Sequence, residues 1–277
     1  MKKNPEISVM MVFYNSERYI KETIESILNQ TFRNFELLLI NDGSTDNSVK
    51  IVENFHDERV RLVNSKHDYI NSLNVGMRKA FGKYIARMDA DDIMHPDRLL
   101  VQHTLMEENP EVDICSSWCT MFVQKLGKAA IYRSVSGLLQ SPLLLLLDRN
   151  FITHPCMMFR TESVRKFHLR YERYPYAEDY KLSVEAAKKG AKFYIEPQSL
   201  LHYRCHEEQI SIKKKTEQDN TAIRIKGEIM DFILPRIPKE LQDLYKCFCE
   251  VESMGYSKPN YKFAQMYKLL DDNCIKI

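Results

Sequence analysis

Short apolar runs alternate with amphipathic segments along about the first ninety residues of the chain. The run 7–13 is almost continuously apolar, which is typical of a parallel strand buried on both faces. A predicted helix over 17–30 places its apolar residues on one face, namely Ile20, Ile24, Ile27 and Leu28. The same alternation predicts strands over 35–40, 60–63 and 83–88, and helices over 45–55 and 72–81. Strands that alternate with helices predict an α/β fold with a mostly parallel sheet and right-handed crossovers.

The pattern becomes less regular after residue 92. We predict a helix over 96–108, a long strand over 113–123, an irregular insert over 124–150 and a strand over 151–159. A helix over 177–189 ends at Gly190, and short strands follow over 192–195 and 199–205. The apolar run Leu143–Leu147 predicts a core helix or a substrate-facing loop, and it is far too short to span a bilayer.

The apolar spacing is helical from Thr216 onward. Two helical faces stand out, one formed by Leu241, Leu244, Tyr245, Phe248 and Val251, the other by Phe263, Met266, Tyr267 and Leu270. We therefore predict an α/β domain over 1–212 and a C-terminal helical extension over 213–277. Lysines 213–215 beside these faces would suit an anionic lipid surface, giving a peripheral contact with the inner face of the plasma membrane. The favoured alternative is that the faces pack on the first domain or on a second subunit in a homodimer.

Composition narrows the class of protein. Hydrophobic residues make up 44% of the 277 residues and charged residues 28%, which is ordinary for a globular protein. A formal net charge of +2 gives no reason to expect nucleic acid as a partner. The seven cysteines contain no Cys-x-x-Cys pair, which argues for reduced thiols and against a disulfide framework or a structural zinc site. With no signal-peptide core before the first strand, we expect a cytoplasmic protein.

Three carboxylates follow the fourth predicted strand, at Asp89, Asp91 and Asp92. Carboxylates at the C-terminal end of a strand lie where open α/β sheets bind ligands. Mg²⁺ and Mn²⁺ prefer oxygen ligands and commonly combine one or two carboxylates with substrate phosphates. The cluster therefore indicates a divalent-metal site that holds a nucleoside diphosphate. The alternative is a solvated acidic turn, with Asp92 or His95 near the N-cap of the next helix and Pro96 in its first turn.

Asp42 ends the second predicted strand on the same edge of the sheet. A fixed carboxylate at this edge could accept the N3–H of a uracil ring. The alternative is structural, because the sequence Asn41-Asp42-Gly43-Ser44 has strong turn chemistry of its own.

Two further polar groups of residues follow. Glu178 and Asp179 open a predicted helix, where the helix dipole alone would favour acidic residues. His202, Arg204 and His206 alternate along a predicted strand and so share one face. For His202 the favoured interpretation is an exposed polar strand face.

Taken together, six segments resemble the family 2 glycosyltransferases, which are inverting enzymes with the GT-A fold. They are residues 7–15 (ISVMMVFYN), 26–32 (SILNQTF), 36–46 (ELLLINDGSTD), 84–98 (YIARMDADDIMHPDR), 177–180 (AEDY) and 202–211 (HYRCHEEQIS). The resemblance extends over about residues 6–212, in order and at the usual spacing. Within the family the chain is most similar to bacterial transferases that extend lipooligosaccharide or capsular glycans from UDP-sugars. The resemblance implies a UDP-sugar donor (GlcNAc, Gal or Glc) and a glycan or glycolipid acceptor.

The resemblance also implies which residues bind the donor. Asp42 would hold the uracil ring, and Tyr14 would belong to the same donor site. Asp89 would contact the ribose or help to position the metal. Arg204 and His206 would face the leaving diphosphate.

The metal and the base are implied in the same way. Asp91 would be the main ligand of Mn²⁺ or Mg²⁺, with His206 as a further ligand. Asp179 would be the catalytic base, with Glu178 as the alternative. Because inverting transfer is a single displacement, it needs one base but no nucleophilic Ser or Cys.

The chain departs from the family pattern in four places. Val12 replaces a frequent proline, and Asn41 replaces a common aspartate. The loop 66–70 lacks the usual Asn-x-Gly, so the lid over the donor pocket is expected to differ. There is no Gln-x-x-Arg-Trp sequence, which argues against a processive synthase.

Two other functions compete with transfer. A sugar-nucleotide pyrophosphorylase would need a glycine-rich phosphate loop after the first strand, and residues 13–17 contain no glycine. A catalytically inactive UDP-sugar-binding or scaffold protein could share the fold. The presence of both Asp91 and Asp179 argues against that second alternative.

Overall fold

The structure is a computed structural model that describes residues 5–123, 127–207, 209–236 and 239. Its strands are Ile7–Phe13 (β1), Phe35–Asn41 (β2), Val60–Asn64 (β3), Tyr84–Met88 (β4), Ile93–Met94 (β5), Ile114–Val123 (β6), Lys128–Tyr132 (β7), Gly137–Leu138 (β8), Met158–Arg160 (β9) and Phe193–Arg204 (β10). Its α-helices are Ile20–Leu28 (α1), Ser48–Glu53 (α2), Tyr69–Lys79 (α3), Arg98–Glu108 (α4), Pro142–Asp148 (α5), Thr161–Lys166 (α6), Glu178–Lys188 (α7), Ile210–Lys213 (α8) and Lys215–Ile233 (α9).

The strands form one sheet in the order β3-β2-β1-β4-β9-β6-β10-β5, with β7 added to β6 and β8 to β10. The first four strands are parallel to one another, and β10 is parallel to β6. Strand β9 is antiparallel to both of its neighbours. The mostly parallel α/β sheet predicted from the sequence is thus confirmed. Its parallel strands bring the carboxyl ends of β1, β2 and β4 to a single edge, where ligands bind in such sheets.

Helices cover both faces of the sheet, which is why its central strands are mostly apolar. Alternate residues of β1 enter two separate cores: Met10 packs on the side of α3, α5, α7 and α9, whereas Met11 packs on the side of α1 and α4. Both side chains are fully buried. The cores hold the strands in register and so fix the positions of the residues just beyond their ends.

Two predictions about the middle of the chain are wrong. The segment 124–150 is not an irregular insert, because its described part contains β7, β8 and α5. The leucines of α5 are largely buried in the core, so the run Leu143–Leu147 is a core helix. The segment 151–159 is not a strand, because a 3₁₀ turn over His154–Cys156 precedes the short strand β9. Pro155 lies in that turn and has no backbone N–H to donate to a sheet ladder.

The two short strands predicted over 192–195 and 199–205 are one strand, β10, with register shifts on both sides of Ser199. Further on, α9 packs with α5 and α7, and its Ile225, Ile229 and Ile233 are fully buried in their core. The two helical faces predicted over 241–270 lie outside the described residues. In the part of the chain that the structure describes, no helix combines the length and the apolar character that crossing a bilayer requires.

Candidate functional site

A cavity of about 570 Å³ opens at the carboxyl edge of the sheet. Five of the residues proposed from the sequence line it: Asp89, Asp91, Glu178, Asp179 and His206. Elements far apart in sequence contribute them, because β4, the N-terminus of α7 and the segment after β10 meet at this edge. Asp42, Tyr14 and Arg204 are not among the residues that line the cavity.

The three aspartates after β4 form a compact cluster. Each offers a carboxylate oxygen within 4.8 Å of the others. Asp92 is fully buried: its Oδ1 accepts a 2.8 Å hydrogen bond from the Arg204 N–H, while its Oδ2 finds no hydrogen-bond partner among the described residues. Burial, with repulsion from Asp89 and Asp91, raises the pKa of Asp92 well above its usual value. A buried oxygen without a partner, beside two more carboxylates, fits a divalent cation.

The burial of Asp92 argues against the alternative that the whole cluster is a solvated acidic turn. Asp92 does not cap the following helix, because α4 begins at Arg98 with Asp97 as its N-cap. Pro96 precedes that cap and lies outside the first turn. Asp92 therefore lies in the interior, whereas Asp89 and Asp91 are partly exposed in the cavity wall.

His206 lies two residues beyond the end of β10, with its Nε2 3.0 Å from Oδ2 of Asp91. Since a carboxylate only accepts, Nε2 carries the proton in this arrangement. The buried Nδ1 has no hydrogen-bond partner in the described part of the chain. His206 could therefore ligate a cation through Nε2 only after its proton moves to Nδ1. His202 does not line the cavity but packs edge-on against Phe122.

Arg204 is buried, and the structure shows it holding the acidic loop in place. Its Nε donates a 2.7 Å hydrogen bond to the carbonyl oxygen of Asp91, and its Nη2 lies 2.6 Å from Oε2 of Glu22. The guanidinium also packs over the rings of Tyr19 and Phe122. These contacts fix the backbone that carries Asp91 and Asp92. The contact with a leaving diphosphate expected from the resemblance stays a prediction.

Glu178 and Asp179 form the first turn of α7 and are half-buried in the cavity wall. Burial and the adjacent charge of Asp179 raise the pKa of Glu178 to about 7. Burial also raises the pKa of Asp179, although hydrogen bonds from the Tyr180 N–H and the Asn150 side chain oppose the rise. A general base works best when its pKa lies near the operating pH, so this pair suits proton abstraction.

Arg87 places a positive charge among these carboxylates. It lies within β4 and is almost fully buried, and its guanidinium forms an ion pair with Asp89. It also donates a 3.0 Å hydrogen bond to the hydroxyl of Tyr69. Its charge lowers the pKa of Glu178 and of Asp179, against the effect of burial. Arg87 thus favours the ionised form of the carboxylates at both ends of the cavity, in opposition to burial.

Asp42 and Tyr14 lie together at the ends of β2 and β1. The Asp42 carboxylate is almost fully buried and accepts hydrogen bonds from the side chains of His67 and Ser72 and from the backbone N–H of Asp68. The ring of Tyr14 stacks on His67 with ring centres 4.2 Å apart. The uracil contact expected at Asp42 remains a prediction, and the carboxylate already has three protein donors.

Sequence reasoning missed several residues of the site. Arg87 had a signal, because a charged residue inside an apolar strand must find a buried partner. His154 lines the cavity, with Nε2 2.8 Å from the hydroxyl of Tyr171, and burial holds its pKa well below the usual value. It lies where a strand was predicted. Asn150 and His67 had no recognisable signal, because only tertiary contacts give them a role.

The chain is similar to one protein family and to known proteins of two organisms. The family model described as "Glycosyl transferase family 2" matches residues 8–167, a range that includes the Asp89–Asp92 cluster and ends before α7. An uncharacterized glycosyltransferase of Haemophilus influenzae is 36% identical over 249 residues, covering 86% of this chain and 77% of that protein. An uncharacterized glycosyltransferase of Methanocaldococcus jannaschii is 30% identical over 231 residues, covering 81% of this chain and 76% of that protein.

Solved structures share the fold. The crystal structure of S. aureus TarS 1-349 in complex with UDP-GlcNAc aligns with a TM-score of 0.65 at 17% identity, covering 86% of this chain and 77% of that one. The corresponding complex with UDP aligns with a TM-score of 0.60 at 18% identity, covering 87% and 78%. At this identity the likeness is one of fold, and it confirms the GT-A fold expected from the resemblance.

Proposed function

Because the chain belongs to glycosyltransferase family 2, we propose that it transfers a sugar from a UDP-sugar to a hydroxyl of a glycan or glycolipid, with inversion at the anomeric carbon. One observation carries the proposal: a single cavity is lined by Asp89 and Asp91 of the acidic cluster and by the Glu178–Asp179 pair of α7. An in-line displacement needs a charge-stabilising group and a base on opposite sides of one reacting carbon.

Asp179 is the proposed base. It would take the proton of the acceptor hydroxyl as the oxygen attacks the anomeric carbon. The Asn150 amide, 3.0 Å from Oδ2, orients its carboxylate. Glu178, with a pKa of about 7, is the alternative base. A positioned base typically contributes about 10²–10⁴-fold in rate.

The acidic cluster is the proposed site of Mn²⁺ or Mg²⁺, and members of this family often use such an ion. Asp91 would be the main ligand, because its carboxylate lines the cavity, with Asp89 or Asp92 beside it. The partnerless Oδ2 of Asp92 supports the assignment. When bound, the ion would neutralise charge that develops on the leaving diphosphate. Arg204 would keep the loop of ligands in place through the Asp91 carbonyl oxygen.

The donor proposal rests on the neighbours. TarS was crystallised with UDP and with UDP-GlcNAc, and the fold is shared. A uridine nucleotide fits the edge of the sheet here if its base reaches Asp42 and Tyr14 and its diphosphate reaches Asp91. GlcNAc, Gal and Glc are the candidate sugars. We further propose that the protein acts in the cytoplasm.

The acceptor is proposed to enter beside α9. Gln218 of that helix lines the cavity, and its side chain donates a 2.6 Å hydrogen bond to the carbonyl oxygen of Tyr176. The C-terminal helix therefore forms part of the wall on the side of Glu178 and Asp179. Membrane contact and dimerisation through this region stay predictions.

Thermal unfolding with UDP-GlcNAc, UDP-Gal, UDP-Glc and a GDP-sugar, each with Mn²⁺ or with EDTA, tests the donor and the metal together. A ligand that binds the native state raises its apparent stability. We expect one UDP-sugar to give the largest shift, and EDTA to remove most of it. A larger shift with the GDP-sugar, or shifts that EDTA leaves unchanged, would contradict the proposal.

A further inference from the structure

His67 lies between the two residues expected to bind the base of the donor. Its ring stacks on Tyr14 at an interplanar angle of 28°. Its Nδ1 lies 3.0 Å from Oδ2 of Asp42 and 2.9 Å from the backbone oxygen of the same residue. Because both of these oxygens are acceptors, Nδ1 carries the proton and donates.

The two carboxylate oxygens of Asp42 have different partners. Oδ1 accepts hydrogen bonds from the Asp68 N–H at 2.9 Å and from the Ser72 hydroxyl at 2.6 Å, which tie it to the start of α3. Oδ2 is the oxygen that faces His67. An incoming donor could therefore exchange with His67 at Oδ2 while the contacts of Oδ1 remain in place.

The imidazole presents the same two recognition elements as a uracil ring: a flat face for Tyr14 and an N–H for the Asp42 carboxylate. We propose that His67 occupies the place of the donor base and must leave before a uridine nucleotide binds, so that this residue sets the affinity for the base. The proposal rests on the proposed function, because it takes the base to bind at Tyr14 and Asp42.

The surroundings allow His67 to leave without disturbing the loop. Its side chain is 62% exposed, so rotation meets solvent rather than the core. The adjacent Asp68 stays anchored, since its N–H is bound to Asp42 and its carboxylate caps α3 by accepting from the Asn71 N–H at 3.1 Å. A change of side-chain rotamer is therefore sufficient.

Gly43 explains how the loop comes so close to Asp42. Its φ is +79°, in the left-handed region that favours glycine, and a Cβ added there would lie 3.2 Å from the Cβ of His67. The loop 66–70 is also where the chain departs from the usual Asn-x-Gly of the family. The local sequence thus specifies the close approach of His67 to Asp42.

A protein whose binding-competent state is only partly populated binds its ligand more weakly, by the competent fraction. The part-buried N–H that His67 shares between two oxygens of Asp42, together with one stacked ring, favours the state with His67 at Asp42 only modestly. Removing the imidazole should therefore tighten UDP binding by about three- to tenfold. If His67 instead helped to form the pocket for the base, its removal would weaken UDP binding.

Isothermal calorimetry of UDP in Mn²⁺, with the full chain, tests the proposal on His67→Ala. The matched control is His56→Ala, because His56 is an exposed histidine away from the site. We expect a three- to tenfold lower Kd for His67→Ala, no change for the control, and a lower KM for the UDP-sugar. In an Asp42→Ala background, the gain from His67→Ala should shrink, because the contact for which both groups compete is gone.

An unchanged or higher Kd in His67→Ala, with thermal unfolding like that of the parent, would overturn the proposal and leave the donor assignment intact. If neither parent nor variant bound UDP while both bound another nucleoside diphosphate, the uridine donor itself would be wrong, and this inference with it. The two failures are therefore distinguishable.

Discussion

The side-chain amide of Asn150 donates a 3.0 Å hydrogen bond to Oδ2 of Asp179 across 29 residues of sequence. Asn150 follows α5, and Asp179 lies in the first turn of α7. The two helices pack together in one core, and the hydroxyl of Tyr180 binds the carbonyl oxygen of Leu146 beside this contact. The orientation of the proposed base is thus set by helix packing.

The first prediction concerns this hydrogen bond. Asn150→Ala should lower kcat for sugar transfer by about 5- to 20-fold, a part of what a positioned base supplies, because the carboxylate loses its fixed orientation. The Kd for UDP should stay near that of the parent. Steady-state kinetics and calorimetry measure the two quantities, with Asn54→Ala, an exposed amide, as the control. An equal loss in both quantities would show that Asn150 acts on the donor.

The strands of the sheet could be predicted because the signal for each strand lies in its own residues. β1, β2 and β4 are apolar runs of strand length, and their predicted bounds differ from the observed ones by at most one residue. The segment 124–150 gave no such signal. Its described strands, β7 and β8, are short and mostly exposed, and they form by pairing with β6 and β10.

The site could be predicted in part for the same reason. Asp91, Asp179 and His206 stand in short motifs, and the structure brings them to one cavity. The contact between His67 and Asp42 joins residues 25 apart, and a loop conformation decides it. The contact of Arg204 with Glu22 could not be foreseen either, because Glu22 lies 182 residues away in α1. A sequence pattern shows on which face of one helix or strand a residue lies, but not which residue of another element it contacts.

Asp91→Ala should abolish Mn²⁺-dependent UDP binding and sugar transfer while the fold stays intact. The variant removes a cavity-lining carboxylate of the acidic cluster, the one not paired with Arg87. Asp219→Ala, on the exposed side of α9, is the matched control and should behave as the parent. Mn²⁺ binding can be followed by electron paramagnetic resonance, together with far-UV circular dichroism. Near-normal Mn²⁺ affinity in Asp91→Ala would place the metal elsewhere.

Glu178→Gln should stabilise the protein at pH 8 and lose that gain in acid. In the folded protein the pKa of Glu178 is about 7, above the ordinary value of 4.5 for a glutamate. Between these values the native state holds a proton that the unfolded state releases, so native stability falls as the pH rises from about 4.5 through 7. The neutral amide avoids this loss, for a gain on the order of 1–3 kcal/mol at pH 8. Urea unfolding at pH 4 and pH 8 measures it, and a gain that is equal at both pH values would contradict the burial argument.

Helix α9 should behave as part of the catalytic domain. Ile229 is fully buried in the core shared with α5 and α7, whereas Ile223 of the same helix is 67% exposed. Ile229→Ala should lower the free energy of unfolding by about 2–4 kcal/mol and Ile223→Ala by less than about 0.5 kcal/mol. Equal small effects in chemical denaturation would show that the helix is a separate extension.

The anomeric form of the first sugar released from a UDP-sugar tests the inverting mechanism and its base most directly. With the α-linked donor that gives the largest thermal shift, proton NMR of slow hydrolysis requires no acceptor, because water takes its place. We expect the β anomer to appear first. The rate should fall by about 10²-fold or more in Asp179→Asn, while Glu178→Gln keeps most of it. Initial release of the α anomer would contradict the inverting mechanism. An active Asp179→Asn beside an inactive Glu178→Gln would move the base to Glu178.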